Sequence, residues 1–565
     1  MPTVAELLGQ AKSAHVAGQL PIAIEFYERV LQADASQAEV HYLLGAARHA
    51  LGQPTEALAS LVEASRLRPD YADAHHHLGV VLVELGRLND AVTSFERAKQ
   101  LRPASREIAD NLRFTQAARE EQRGSDLVNQ GDLTGAEQAF RHALEHHADW
   151  AEAHHNLGLV LGKQRRFEQA ILAYQRAVEL KPDFVDAHHN LATTLAQLGR
   201  HDDAAASFRR AVELQPDAAA AHHRLGTLLH RQGELAEALA SYDRAIVLDP
   251  ANGEYHYNRA VLWLASGDFA RGWPEYEWRP HCEDSRYRQP RWDGSDLRGQ
   301  RIVIHAGQPW GLGDTLQFIR YVPLVKARGG EVILDVQPGL IPLLKESGYE
   351  RFVADERSMP ECPWQSPMLS LPGAFQTSLA TIPVAIPYLS ANAELVAKWR
   401  QRLQGCRGLK VGIHWRGSEA WTTDPRSIPL GQFEPLAQIE NVTLISLQKE
   451  DLGQGHESLG NRFPLIRFDD ELDVSGGAFM DTAAIIKNLD LVISCDTSIT
   501  HLAGALGTPV WVALPHVSDW RWLLEREDNP WYPTMRLFRQ QTHCDWSDVF
   551  RKIEEELTRM ARPSA

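Results

Sequence analysis

The sequence predicts two architectures in tandem: an α-solenoid of stacked helix pairs, then an α/β domain of two parallel-sheet halves. Three observations predict this. Small residues return with a period of 34 through the first half of the 565 residues. Beyond Gln300 that period stops, and short runs rich in Val, Ile and Leu alternate with amphipathic stretches. A chain of this length also exceeds what one hydrophobic core organises.

The repeat is read from its small positions. Gly45 and Gly79 lie one period apart, and Gly124, Gly158, Ala192, Gly226 and Ala260 keep that interval. A second small position, seven residues on, holds Gly18, Gly52, Gly86, Gly131, Gly199, Gly233 and Gly267, with Arg165 the exception. Alanine follows five later, as at Ala57, Ala136 and Ala238. Four beyond comes a large residue: Tyr27, Leu61, Phe95, Phe140, Tyr174, Phe208, Tyr242 and Tyr276. Pro69, Pro103, Pro182, Pro216 and Pro250 close units. Small residues let two antiparallel helices approach, the large one fills the gap to the next pair, and proline ends the second helix. One such unit cannot bury its own apolar face, so neighbours must stack. The step from Gly79 to Gly124 is one period plus 11. Residues 106–120 are therefore expected to form an extra helix or a kink, dividing about eight units into three and five. The last unit, GDFARGWPEYEWR (267–279), is degenerate, as expected where a solenoid meets another domain. This pattern resembles the tetratricopeptide repeat (TPR) family and covers residues 1–279.

The first helix of each unit, expected to face the concave groove, carries AHHHLG, AHHNLG, AHHNLA or AHHRLG. His75, His76, His77, His154, His155, His188, His189, His222 and His223 fall in register, as do Asn156, Asn190 and Asn258. Adjacent histidines on one helix do not match the three- or four-residue spacing of metal ligands, so no metal site is expected. Two readings stay open. Asn156, Asn190, Asn258, His155 and His189 form a ladder that holds an extended acceptor chain, or they are packing histidines and solvated amides.

Bulk properties exclude several classes. A net charge of −16 without a basic run argues against nucleic-acid binding. No apolar run approaches the roughly 18 residues of a membrane span, and the first 30 residues do not read as a secretion signal. A cytoplasmic protein is expected. Cys282, Cys362, Cys406, Cys495 and Cys544 are scattered and unpaired in sequence, so reduced thiols are expected.

In the second half, RIVIHA and EVILDV read as the strands of one Rossmann-like half (300–403), after a linker at 280–299. KVGIHW, VTLISLQ, LDLVISCD and PVWVALP read as strands of a second half (404–545), which is expected to bind the nucleotide, with a closing helix at 546–565. Two such sheets across a cleft make the GT-B arrangement. Three motifs carry chemistry. Gly311-Leu312-Gly313-Asp314 follows a strand and opens a helix, where a tight turn and a helix N-terminus favour anions. It lacks the third glycine of a dinucleotide fingerprint and the Lys-Ser/Thr of a phosphate loop. A carboxylate there is expected to stay ionised and accept a hydroxyl proton; its bland alternative is a helix cap. Asp496, Thr497, Ser498 and His501 sit where a strand ends and a helix begins, the place where open α/β sheets bind ligands. Trp415, Arg416, Ser418, Arg426, Ser427 and Lys449 follow other strands, and their cations could neutralise a leaving phosphate. Trp520, Trp522, Trp531 and Tyr532 either stack on a sugar or base or fill the core.

GLGDTLQFIRY, DTAAIIKNLDLVISCDTSITHLAGALGTPVWV and DWRWLLEREDNPWYPTMRLFRQ together resemble the bacterial heptosyltransferase-like family, and its relatives with fused TPR arrays, over residues 288–545. That resemblance implies Asp314 as catalytic base and Asp496, Thr497, Ser498 and His501 around the donor phosphates. Relatives often carry Glu-Gln-Gly-x-Gly-Asp, whereas this loop runs Gly307-Gln308-Pro309-Trp310-Gly311-Leu312-Gly313-Asp314 and has no glutamate. No Asp-x-Asp occurs, which disfavours a metal-dependent transferase. The expected activity is an inverting, metal-independent glycosyltransferase using a nucleotide-sugar as substrate and no other cofactor. Its acceptor is expected to be a protein Ser or Thr hydroxyl recruited by the array, with flagellin suggested by resemblance. The alternatives are a catalytically inactive TPR scaffold and an enzyme acting on a cell-envelope glycolipid. A fragment starting near Arg279 is expected to keep nucleotide binding.

Overall fold

The computed structural model describes residues 3–280, 284, 286–307, 311–353, 361–417, 426–449, 463–468, 471–474, 476–542 and 544–562. The chain divides into two compact units, Met1–Ala221 and His222–Ala565.

The first unit is a run of antiparallel helix pairs, from Val4–Val16 and Leu20–Ala33 to Val185–Gln197 and His201–Leu214. Where a pair carries glycine at the first small position, that glycine lies against the large residue of its partner helix. A Cβ built on Gly158 would come within 2.6 Å of the Tyr174 ring, and one on Gly79 or Gly124 within 2.7 Å of Phe95 or Phe140. Glycine is thus required by contact at these positions. At the second small position it is required by backbone: Gly86 and Gly131 sit at φ of 72° and 83°. Arg165 occupies the same left-handed turn at φ 61°. Since that conformation costs an L-residue roughly 1–2 kcal/mol, Arg165→Gly should raise stability by about 1 kcal/mol after the unfolded-state entropy of glycine is subtracted. Thermal unfolding of the full chain reads this; no gain would mean that the Arg165 side chain makes up for its backbone.

The 11 added residues do not form a separate helix. They lengthen one helix, Arg106–Gln130, whose N-terminus is capped by Ser105 and which ends at Gly131. Eleven residues are close to three turns at 3.6 per turn, so the buried stripe Ile108, Leu112, Thr115, Ala117, Glu120 and Gly124 stays on one side.

The histidine register has a structural use. The first histidine of each unit donates from Nε2 to a carbonyl six residues earlier, where the preceding helix has ended: His75 to Pro69 (3.2 Å), His154 to Ala148 (2.9 Å) and His188 to Pro182 (3.1 Å). The next histidine accepts from an asparagine or its equivalent 35 residues on. Asn111 donates to His76 Nε2 at 2.9 Å and Asn190 to His155 Nε2 at 3.0 Å. Asn156 donates to Glu121 at 2.9 Å. His189 packs edge-on against Phe208, at 5.6 Å between ring centres. Burial holds His155 below the ordinary imidazole range, so it is a neutral acceptor. These side chains tie each unit to the next, and each bonded asparagine has committed an amide N–H to that tie.

The second unit contains the helices Leu235–Leu248, Gly253–Ala265 and Phe269–Tyr276 together with both sheets. The His–Asn tie and the carbonyl latch recur here: Asn258 donates to His223 Nε2 (2.7 Å), and His256 donates to the Pro250 carbonyl (3.0 Å). Strands β1 (Arg301–His305), β2 (Glu331–Asp335) and β3 (Trp364–Pro367) form a parallel sheet in the order β2-β1-β3. Strands β4 (Leu409–His414), β5 (Val442–Ser446), β6 (Leu491–Cys495), β7 (Val510–Leu514) and β8 (Met535–Arg539) form a second, in the order β5-β4-β6-β7-β8, also parallel. Their near-continuous apolar runs suit sheets covered on both faces. The helix Ser547–Ala561 buries Val549, Phe550, Ile553 and Leu557, with Phe550 edge-on to Phe433 at 4.8 Å.

The degenerate final repeat is part of this core. Phe269, Trp273 and Tyr276 are buried together with Phe318, Trp520 and Trp531. Trp273 meets Trp520 at 5.4 Å, Phe269 meets Trp531 at 6.2 Å, and Trp273 Nε1 donates to the Thr377 carbonyl at 2.7 Å.

Candidate functional site

The carboxyl ends of β4, β5 and β6 converge on a cleft of ≈ 680 Å³. Arg416 and Gly417 reach it after β4, Gln448 and Lys449 after β5, and Thr497 and Ser498 after β6; Leu312 closes it from the glycine loop. This is where a parallel sheet whose neighbouring strands are non-sequential opens a crevice. The helix Ser498–Ala505 begins at Thr497, whose side chain makes no capping bond. Its hydroxyl is instead hydrogen-bonded to His414 Nδ1 at 3.1 Å, so no side-chain cap occupies the helix start, although the Thr500 amide donates to the Thr497 carbonyl at 3.1 Å. His414 is neutral: burial, and then Arg416, push it down to about 3. The Arg416 amide donates to Gln448 Oε1 (3.2 Å), and Lys449 Nζ donates to the Asp473 carbonyl (3.3 Å). Asp473 in turn caps the helix Met480–Ile486, accepting from the Asp481 amide at 2.7 Å. Two cations and a helix N-terminus thus face one cavity, an arrangement suited to a phosphate or diphosphate.

Asp314 does not itself line the cleft, two positions after Leu312, which does. Gly311 caps the helix Leu312–Phe318 by its backbone, so Asp314, three residues in, is not a cap. Its Oδ1 accepts from Arg521 Nη2 at 2.5 Å. Burial raises this carboxyl, while Arg521 beside it pulls the other way. The glycines also work differently from the expectation of a strained turn. Gly311 is extended (φ −72°). Gly313 is needed for packing: a Cβ there would stand 3.0 Å from His501 and 3.5 Å from Ser498 Cα.

Three expected donor residues are buried and do not line the cleft. His501 is 5% exposed, stacks on Trp522 (5.5 Å between centres) and shares a 3.1 Å hydrogen bond with Tyr532. Trp415 is 4% exposed and packs among Ile428, Phe433 and Phe463. Asp496 is buried, and its carboxyl is pushed up to about 6 by burial and then by Asp519. Trp520, Trp522, Trp531 and Tyr532 are likewise core residues. Arg426 is exposed at a turn. Ser418, residues 308–310 and Cys282 lie outside the described residues. Sequence reading missed His414, Gln448 and Asp473 in the cleft. It also missed the pairing of Arg521, whose signal was a charged pair inside the aromatic run DWRW.

Among the described residues no group of three His, Cys, Asp or Glu could hold a metal, and no helix is long and apolar enough to cross a membrane.

The tetratricopeptide repeat pattern matches residues 8–63, 189–253 and 236–275, and related TPR patterns match 47–86, 72–105 and 151–184. The N-terminal helices are tetratricopeptide repeats. The chain is 30% identical over 318 residues to Protein FlbA of Caulobacter vibrioides, a match over 51% of this chain and 52% of FlbA. It thus spans about half the length of that relative. Among solved structures it is similar to the TPR domain of P58(IPK), at 20% identity and TM-score 0.23 over 48% of this chain and 81% of that one. It is also similar to YrrB, described as a TPR protein with an unusual peptide-binding site, at 21% identity and TM-score 0.25 over 35% and 96%.

Proposed function

We propose that the protein is a cytoplasmic, inverting glycosyltransferase of GT-B type that moves a sugar from a nucleotide-activated donor to a protein hydroxyl, with the TPR array recruiting the acceptor. The observation that supports it is the cleft at the ends of β4, β5 and β6, where Arg416, Lys449 and the helix start at Thr497 and Ser498 meet. In this reading the acceptor Ser or Thr oxygen forms a bond to the anomeric carbon as the bond from that carbon to the donor phosphate breaks. Asp314 takes the hydroxyl proton, and Arg416 and Lys449 take up the charge left on the phosphate. Flagellin is the acceptor that the family resemblance suggests.

The test is calorimetry with UDP, GDP and CMP. One of them should bind, and Arg416→Ala or Lys449→Ala should each weaken it about tenfold, the scale of one hydrogen bond to a charged group. Absence of binding by all three at millimolar concentration would sink the proposal. One observation favours a scaffold without catalysis: Asp314 is held by Arg521. That reading predicts nucleotide binding at most, with no transfer from any donor to any acceptor.

A further inference from the structure

Asp314 belongs to a four-residue cluster with Arg521, Asp519 and Gln317, which the sequence motifs did not bring together. Arg521 extends its whole fork: Nη2 to Asp314 Oδ1 (2.5 Å), Nη1 to Asp519 Oδ1 (2.8 Å) and Nε to Gln317 Oε1 (2.8 Å). Asp519 is fixed as well, since its Oδ1 accepts the Arg521 amide at 3.0 Å. The guanidinium lies 4.7 Å from the Trp520 ring centre and 5.5 Å from that of Phe318, and Arg521 is only 9% exposed. A planar fork used on three acceptors and packed between two rings has little freedom to turn.

We infer that Arg521, aligned by Asp519, is the positioning residue that aims the Asp314 carboxylate and governs when it can take a proton. The inference rests on the glycosyltransferase reading for what the carboxylate does, and on the contacts alone for what Arg521 does.

The signs of the two neighbours differ. Arg521 favours the charged carboxylate and Asp519 opposes it, against a background of burial that opposes it too. The other groups facing the cluster are Arg279, behind the last repeat helix, Tyr257 and Tyr276 from the repeat helices, and His501 and Asp496 on the side of the Ser498 helix. Burial holds His501 neutral and both tyrosines protonated. Asp496 feels Asp519 and Arg521 as Asp314 does, so the resonance of Asp314 itself, and not the activity limb alone, separates the two carboxyls. A base works only above its own pKa, so anything that raises Asp314 moves the acid limb of activity to higher pH.

The experiment compares Arg521→Gln, Arg521→Lys and Asp519→Asn in the full chain. Immobilised serine- and threonine-containing peptides serve as acceptors, with radiolabelled UDP-, GDP- and CMP-sugars as donors. Arg521→Gln should move the acid limb of kcat/KM upward by at least one pH unit, and Arg521→Lys should restore most of it. Asp519→Asn keeps the acceptor that holds the turn but loses the charge, and should move the limb downward. Nucleotide affinity should stay within twofold in all three. Limbs that stay put, or that move the same way in the Gln and Asn variants, would overturn the inference, because a merely structural role predicts lost activity without opposite displacements. A second readout does not need transfer: the carboxyl carbon resonance of Asp314, assigned by its absence in Asp314→Asn, should titrate higher in Arg521→Gln and lower in Asp519→Asn. If wild type transfers nothing, the glycosyltransferase reading falls while this titration still decides the role of Arg521. If one of Arg521→Gln and Asp519→Asn fails to fold, the other decides through its own titration of Asp314: displacement in the stated direction counts for the inference, and an unmoved or opposite one against it.

Discussion

Asp314→Asn should lower sugar transfer by at least about 100-fold while leaving nucleotide affinity unchanged, since a general base contributes on the order of 10²–10⁴ in rate and Asp314 does not line the cleft proposed for the nucleotide. Asparagine keeps the shape and one acceptor for Arg521, so the variant should fold. Losing the charge still leaves a buried guanidinium with one carboxylate fewer, and breaking such a pair costs about 3–5 kcal/mol in the worst case. Circular dichroism and thermal melting must therefore accompany the assay. Near-normal turnover in a folded Asp314→Asn protein would remove Asp314 from the chemistry.

The second large effect concerns where the chain can be cut. The fragment 280–565 should be insoluble or molten, and the fragment 222–565 should be folded and monomeric. The first lacks Phe269, Trp273 and Tyr276, which are buried against Phe318, Trp520 and Trp531. Each buried aromatic removed costs about 3–5 kcal/mol, and three together approach the 5–15 kcal/mol that a whole domain has. Sedimentation and near-ultraviolet dichroism distinguish the two; a cooperative, monomeric 280–565 would show that these rings only decorate the core. The fragment 222–565 also separates the acceptor readings. If the upstream repeats recruit a protein, it should bind nucleotide yet fail to modify that protein, whereas an enzyme acting on a glycolipid would keep its full rate.

Periodicity carried the fold. The glycines at 45, 79, 124 and 158, the aromatic partners and the change of rhythm after Gln300 all report local geometry that neighbouring residues impose on each other. Among the described residues, six of the eight strands were legible because their apolar runs are nearly continuous. β3 was not: Trp364–Pro367 is four residues long and ends in proline, and it is a strand because β1 offers it a ladder. The site was less legible for a related reason. Strand-end positions place Arg416, Lys449, Thr497 and Ser498, and these do meet at the cleft. A strand-end address does not say which way a side chain turns, and Trp415, Asp496 and His501 turn inward. The contact between Asp314 and Arg521 joins residues 207 apart in the chain, a separation at which one sequence carries no pattern.

The inclusion of Phe269–Tyr276 in the α/β core sets different rules of change along one repeated motif. Upstream of His222 a unit answers only to its neighbours, so insertion, loss or resurfacing of whole helix pairs is tolerated step by step, as the 11 residues added to Arg106–Gln130 illustrate. In the last repeat helices, from Tyr257 to Tyr276, exchanges are also judged by the core that holds the tryptophans at 520 and 531. New partner preferences should therefore arise by drift in the first 221 residues, while the last repeats stay fixed as a keel for the α/β domain they have joined.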